Sequence, residues 1–440
     1  MSYKAFGSQI LRQARQSVTI PQTRTRCLHQ FPRRPQPLNN KGPHHSSKHG
    51  GKHRSRHAGT FAGNTKALFR SNPISMTVAT GAILFGIFSW GYVHYINQTY
   101  IIGAFHKFPE PVAKKLRKAL YFTNIDLQPK EALKFYKQAL QTAEELGMDP
   151  FSDEIMGVKI QVAALMENLQ QWRKAIQVLE ILRADSLEWL RQFGDREHNK
   201  EKRTRVLAKC VAMSVKLGEL YAQPAIYDRD AAEERMVWAV ETALKETQRR
   251  ENAGVKVEEE GEWLSSEEQG AALESLAHAY EAKEQHYLAT PLFLQALSLH
   301  PTRNCHTVTL MSNLASSLGQ QSPRAAAAAQ AYASSRTISS GERPSNGPPA
   351  SKEAMVENAR TWAQKALELA ATIKPPERDE ECDVGCVVAT HNLGEFAEML
   401  GNTTEAKKRY EESVALARAV GFQEGVETSS ERLRALSKST

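Results

Sequence analysis

Cys382 and Cys386 stand four residues apart, one helical turn, and of the five cysteines in this 440-residue chain they are the pair whose spacing could support thiol chemistry. An oxidising compartment could oxidise such a CxxxC. No second motif of the kind accompanies it, so the spacing leaves them as small buried hydrophobes or free thiols, and five cysteines do not make a disulfide scaffold. His44, His45, His49, His53 and His57 could hold a soft metal if crowded together, yet they are interspersed with Gly, Ser, Lys and Arg in a low-complexity stretch that reads as solvated. A Gly-rich phosphate loop, an HExxH, a nucleophile elbow and paired CxxC motifs are all missing from the sequence. The expectation is a binding protein without catalytic residue, cofactor or metal.

The elements around these residues are announced by charge. Fourteen of the 57 Lys and Arg fall in residues 1–70, where there is no Asp or Glu, and the first acidic residue is Glu110. Beyond residue 70 the chain carries 43 basic against 49 acidic residues, so the overall +8 belongs to a terminal segment and not to the body. A mildly acidic body argues against nucleic acid as a partner. Residues 1–70 are rich in Pro, His, Ser, Gly and Asn and too poor in apolar residues to build a core, which predicts a disordered basic arm. At its start, Phe6, Ile10, Ala14 and Val18 recur every four residues beside Arg12 and Arg15. An acid-free, Arg-rich amphipathic start is the composition of a mitochondrial matrix-targeting presequence.

Between Arg70 and Lys107 there is no Lys, Arg, Asp or Glu, and residues 74–96 read ISMTVATGAILFGIFSWGYVHYI. At about 1.5 Å per residue such a helix crosses a bilayer's hydrocarbon core with some tilt. Trp90, Tyr92, Tyr95 and Tyr100 gather at its C-terminal end, where amphipathic rings favour the headgroup layer. The basic side stays untranslocated, which for a mitochondrial inner-membrane protein puts the N-terminus in the matrix and the remainder in the intermembrane space.

After the span the sequence is all-α by its Ala, Leu, Glu and Lys content and its helical periodicity. From Gly270, the residues Leu273, Leu276, Ala277, Tyr280, Ala289, Phe293, Ala296 and Pro301 keep fixed offsets that resemble the tetratricopeptide repeat. Leu393, Gly394, Ala397, Ala406 and Tyr410 repeat them. Small residues let the paired helices approach, and large ones fill the adjacent holes. Weaker copies bring the count to six hairpins over 113–421, with an insertion at 322–351, and residues 422–440 form a capping helix and tail. Glu251 to Glu268 is expected to loop out, Asp195 to Arg205 to extend a helix, and Pro291 either to follow a late start capped by Thr290 or to kink its helix.

Some proteins of this repeat class hold a partner's C-terminal carboxylate with cations at the second, fifth and sixth positions of the first helix. Here those positions offer Glu274, Ser312, Asn313, Val388 and Asn392, which supply no cation. The groove candidates are instead His278, Tyr280, Asn313 and Asn392, suited to stacking on or hydrogen bonding an extended peptide, or equally to bonding neighbouring helices.

A basic presequence, one span near residue 80 and a divergent repeat array together resemble the fungal inner-membrane tetratricopeptide subunit of the i-AAA protease complex. The segments ALYFTNIDLQPKEALKFYKQALQTAEELGMDPFSDE and HNLGEFAEMLGNTTEAKKRYEESVALARAVGF carry the resemblance. It implies a membrane-anchored adaptor that recruits unfolded or misassembled client proteins to a membrane AAA protease for quality-control degradation and has no protease chemistry of its own. A respiratory-complex assembly factor, or a subunit of an import or tethering machine, are the alternatives with the same layout.

Overall fold

The computed structural model describes residues 73–96, 105–300, 303–328 and 351–439. The presequence, the histidine-rich stretch His44 to His57, Pro301 and residues 329–350 of the insertion lie outside them. The chain divides at Ala113/Lys114 into two units, each described by itself.

The first unit contains α1 (Pro73–Ile96). Its segment Thr77–Tyr95 is, among the described residues, the one helix long and apolar enough to cross a membrane, and none of it is buried against protein. Phe85, Phe88 and Trp90 are each 72% exposed.

The second unit is helical throughout its described residues. Its helices come in consecutive pairs: α2 (Glu110–Asn124, which begins in the first unit) with α3 (Pro129–Glu145), α4 (Asp153–Asn168) with α5 (Trp172–Phe193), and α6 (Lys200–Tyr221) with α7 (Arg229–Ala253). A four-residue helix, α8 (Val257–Glu260), precedes α9 (Ser266–Ala282) with α10 (His286–Leu299), α11 (Cys305–Gln320) with α12 (Lys352–Thr372), α13 (Glu380–Met399) with α14 (Thr403–Val420), and the final α15 (Gln423–Ser439).

Local sequence sets these boundaries. Ser265 and Asn304 open α9 and α11 with reciprocal capping boxes to Glu268 and Thr307. Asp379 opens α13 by accepting from the Glu381 and Cys382 N–H groups, and Asn402 opens α14 by accepting from Glu405. Four of the turns inside the pairs share one left-handed residue: Gln170 (φ 57°), Tyr227 (φ 55°), Glu284 (φ 61°) and Gly401 (φ 77°). At three of these the hydrogen bonds are the same as well, since Gln171, Gln285 and Asn402 each donate to the carbonyl five residues back. A recurring αL turn is the backbone signature of a repeated unit.

The core runs along the pairs. Buried Leu273, Leu276, Ala277, Ala289, Phe293 and Ala296 form one continuous cluster with Val211, Met236, Leu310 and Leu314 from the flanking pairs. Each pair thus buries its apolar stripe only by stacking on its neighbours, which is the physics of a solenoid.

Packing corrects two local expectations and rules out one of the two alternatives for Pro291. The acidic stretch 251–268 does not loop out. Glu260 pairs with Arg249, Arg250 donates to the carbonyls of Glu260 (3.3 Å) and Gly261 (3.0 Å), and Trp263 Nε1 donates to Thr247 (3.1 Å), which folds the stretch back on α6 and α7. Residues 195–205 are not one helical extension, because a 3₁₀ turn at Glu197–Asn199 interrupts them before α6. Pro291 lies inside α10, which starts at His286; Thr290 does not cap it but donates back to the His286 carbonyl at 2.9 Å.

Candidate functional site

The first helices of the last three pairs, α9, α11 and α13, bring together the polar residues singled out in the sequence and several that were not. Glu274 on α9 lies 3.2 Å from His306 Nε2 on α11 and 3.6 Å from His278 Nε2 one turn along its own helix. His306 Nδ1 reaches Glu381 on α13 at 2.8 Å, and His278 Nδ1 reaches Glu281 at 3.0 Å. Asn313 Nδ2 donates to Glu274 at 3.3 Å. The result is a ladder of alternating acids and imidazoles running across three successive pairs.

Burial works against the charges of Glu274, His278 and His306, and pairing overcomes it. Desolvation alone would raise the Glu274 carboxyl, but the two imidazoles hold it at about 2. Desolvation alone would lower the histidines, but Glu274 and Glu281 hold His278 up at about 9, and Glu274 and Glu381 hold His306 up at about 10. Both imidazoles therefore stay cationic at neutral pH, His306 bridging Glu274 and Glu381 and His278 donating to Glu281 with Glu274 as a nearby counter-charge. His306, Glu274 and Glu381 carry most of this site. None of the three has a distinguishing local motif, and they fall at different positions of their helices, Glu274 in the middle of α9 and His306 and Glu381 in the first turns of α11 and α13, so no sequence signal marks them.

Of the four groove candidates, His278 and Asn313 enter this ladder. Tyr280 is half-buried at the end of α9. Asn392 is 4% exposed and donates to the Ser312 carbonyl at 3.1 Å, which spends its amide inside the array, between α13 and α11. A surface hollow of about 610 Å³ lies between α3 and α4 and is lined by residues that include Leu133, Tyr136, Leu140, Met148, Ile155 and Val162. No groove candidate borders it.

The packing positions fall as follows. Leu276, Ala277, Ala289, Phe293, Ala296, Leu393, Ala406 and Tyr410 are buried. Gly394 faces Tyr410, where an added Cβ would come within 2.8 Å of the ring. The Tyr410 hydroxyl donates to Glu398 at 2.9 Å, and Arg432 of α15 pairs with the same carboxylate at 2.7 Å.

Cys382 is not a free thiol. It is bonded to Cys305, 77 residues earlier, with a Cα separation of 4.5 Å, while Cys386 remains a half-buried free thiol 3.8 Å from an Arg378 nitrogen. The sequence reading missed the pair because a sequence separation of 77 gives no local signal. The Asp379 carboxylate is also within 4.8 Å of both sulfurs. The sulfurs are spent on each other, however, and Asp379 Oδ1 on the α13 cap.

Stacked helix pairs with small and large residues at fixed offsets define an all-α solenoid of tetratricopeptide type, accompanied by one apolar helix of membrane-crossing length. No protein-family model matches the chain. A TPR repeat-containing protein of Schizosaccharomyces pombe is 27% identical over 323 residues, covering 72% of this chain and 76% of that protein. Protein MRG3-like of Saccharomyces cerevisiae is 31% identical over 93 residues, 20% of either chain. Among solved structures, the TPR-like repeats of a Podosopora anserina putative kinesin light chain cover 62% of this chain and 99% of that one at 17% identity and a TM-score of 0.40. Yeast Tom70 covers 80% and 94% at 11% identity and a TM-score of 0.18.

Proposed function

We propose that this protein is a non-catalytic, membrane-anchored adaptor of the mitochondrial inner membrane. Its repeat domain, in the intermembrane space, binds unfolded or misassembled clients and delivers them to the i-AAA protease. The observation that carries the binding mode is the closed charge pairing on the first-helix face. Glu274, His278, His306 and Glu381 satisfy one another, so the face presents no free cationic clamp for a terminal carboxylate. A surface whose charges are already paired selects its partner through apolar and backbone contacts, which suits exposed segments of misfolded chains. The fully exposed α1 supports the anchor, and the acid-free basic segment before it supports the matrix side for the N-terminus.

Affinity purification in mild detergent tests this reading. Recovery of a membrane AAA protease, with slower turnover of co-purified clients when the gene is deleted, is the expected outcome. Recovery of respiratory-complex subunits alone would replace it with an assembly factor. Protease added to mitoplasts should digest the repeat domain, and a protected domain would overturn the orientation.

A further inference from the structure

The α2–α3 hairpin has a surface that neither the client face nor the helix-pair core accounts for. Lys114, Lys118 and Tyr121 on α2 and Ile125 just past its end follow one another at spacings of four, three and four residues, which places them on one stripe. All four are exposed, Tyr121 by 47% and Ile125 by 76%, and Leu127 in the turn beyond is 61% exposed. Lys118 of α2 and Lys134 of α3 lie 5.4 and 5.6 Å from the centroid of the same Phe135 ring, Lys134 also pairing with Glu131 at 3.0 Å, so cations from both helices converge on one aromatic ring. Residues 110–145 carry seven basic against five acidic residues, whereas 146–440 carry 35 against 44. The hairpin is thus a positive, apolar-tipped patch on an otherwise acidic repeat domain.

We propose that this stripe docks on the anionic headgroup layer of a lipid bilayer, with Tyr121, Ile125 and Leu127 entering the interface and Lys114, Lys118 and Lys134 meeting lipid phosphates. Cations flanking exposed aromatic and aliphatic side chains are the composition of interfacial anchoring, in which ammonium groups stay with headgroups while apolar parts leave water. Connectivity favours lipid over a soluble acidic partner. Only residues 97–109 join α1 to α2, at most about 45 Å of extended chain. The inference rests on the reading of α1 as a membrane span.

The test is hydrogen exchange on the full chain in phosphatidylcholine nanodiscs with and without phosphatidylglycerol. Amides of 119–130 should exchange about tenfold more slowly in the anionic discs, with α9 unchanged. Lys114→Glu with Lys118→Glu should abolish the difference, and Ile125→Ser with Leu127→Ser should reduce it, both variants keeping wild-type helical circular dichroism. Equal exchange in the two lipids, or protection that survives the charge-reversal pair, overturns the proposal. So does protection that appears only when an acidic protein is added. A chain that fails to enter the discs refutes the span instead.

Discussion

Cys305, the first residue of α11, is covalently joined to Cys382 in the first turn of α13. The bond fastens the first helices of two successive pairs across α12 and the 322–351 insertion. The closed loop thus contains α11, α12 and the insertion between them. In the chain-entropy model, closing a loop of this length removes about 4.5 kcal/mol of denatured-state freedom, an upper figure because denatured chains are not ideal coils.

Cys305→Ser or Cys382→Ser should consequently lower stability by about 2–4 kcal/mol. Urea unfolding with and without a phosphine reductant checks this. The wild type should lose stability on reduction, each variant should be insensitive to the reductant, and Cys386→Ser should behave as wild type.

The acid–imidazole ladder makes stability depend on pH in two directions. The Glu274 carboxyl is depressed, so its contribution is present above the ordinary carboxylate range and is lost as pH falls toward about 2. The His306 imidazole is raised, so its contribution is complete below about 6.5 and is lost as pH rises through about 10. Thermal unfolding should show a plateau from roughly pH 5 to 6.5 and a decline on the alkaline side that begins well before lysine titrates.

Removing one partner from that ladder strands the others. His306→Ala leaves Glu274, with its side chain 14% exposed, beside a single imidazole, and leaves Glu381 without its cross-helix contact. A loss of about 3 kcal/mol is expected, and His306→Gln should recover part of it while flattening the alkaline limb. A variant as stable as wild type with an unchanged pH profile would show that the ladder contributes nothing.

The turn residues offer the opposite sign. Glu284 (φ 61°) and Gln170 (φ 57°) hold a left-handed backbone that disfavours a side chain. Glu284→Gly and Gln170→Gly should each stabilise by about 0.5–1 kcal/mol in chemical denaturation, the relief of strain exceeding the added freedom of the unfolded chain.

Gly394 is the reverse case. Its Cβ would press within 2.8 Å of the Tyr410 ring, which cannot swing away because its hydroxyl bonds Glu398. Gly394→Ala should destabilise by about 1–3 kcal/mol, read as a lower denaturation midpoint.

How much of this was legible follows from the range of each signal. Helix existence, the pair boundaries and the apolar helix at 74–96 are written in short stretches, through caps such as Ser265 with Glu268, through 3.6-residue periodicity, and through an uncharged run. These are interactions between residues three or four apart, or between one segment and its solvent, so the sequence determines them alone. Within the array, the offsets of Leu276, Ala277 and Phe293 are legible for the same reason: they repeat at a fixed period.

Side-chain partnership across pairs is different. The bond of Cys305 to Cys382, the contact of His306 with Glu274 and Glu381, and the retreat of Asn392 to the Ser312 carbonyl each depend on how far successive first helices are shifted and rotated when they stack. That registration is set by the fit of many side chains at once, Met236 against Gly218 and Phe396 against Gly319 among them. The sequence by itself determined a membrane-length helix and a stack of helical pairs. Only the tertiary structure decided which polar groups are spent inside the stack and which remain for a partner, because that choice is made by packing between helices far apart in the chain.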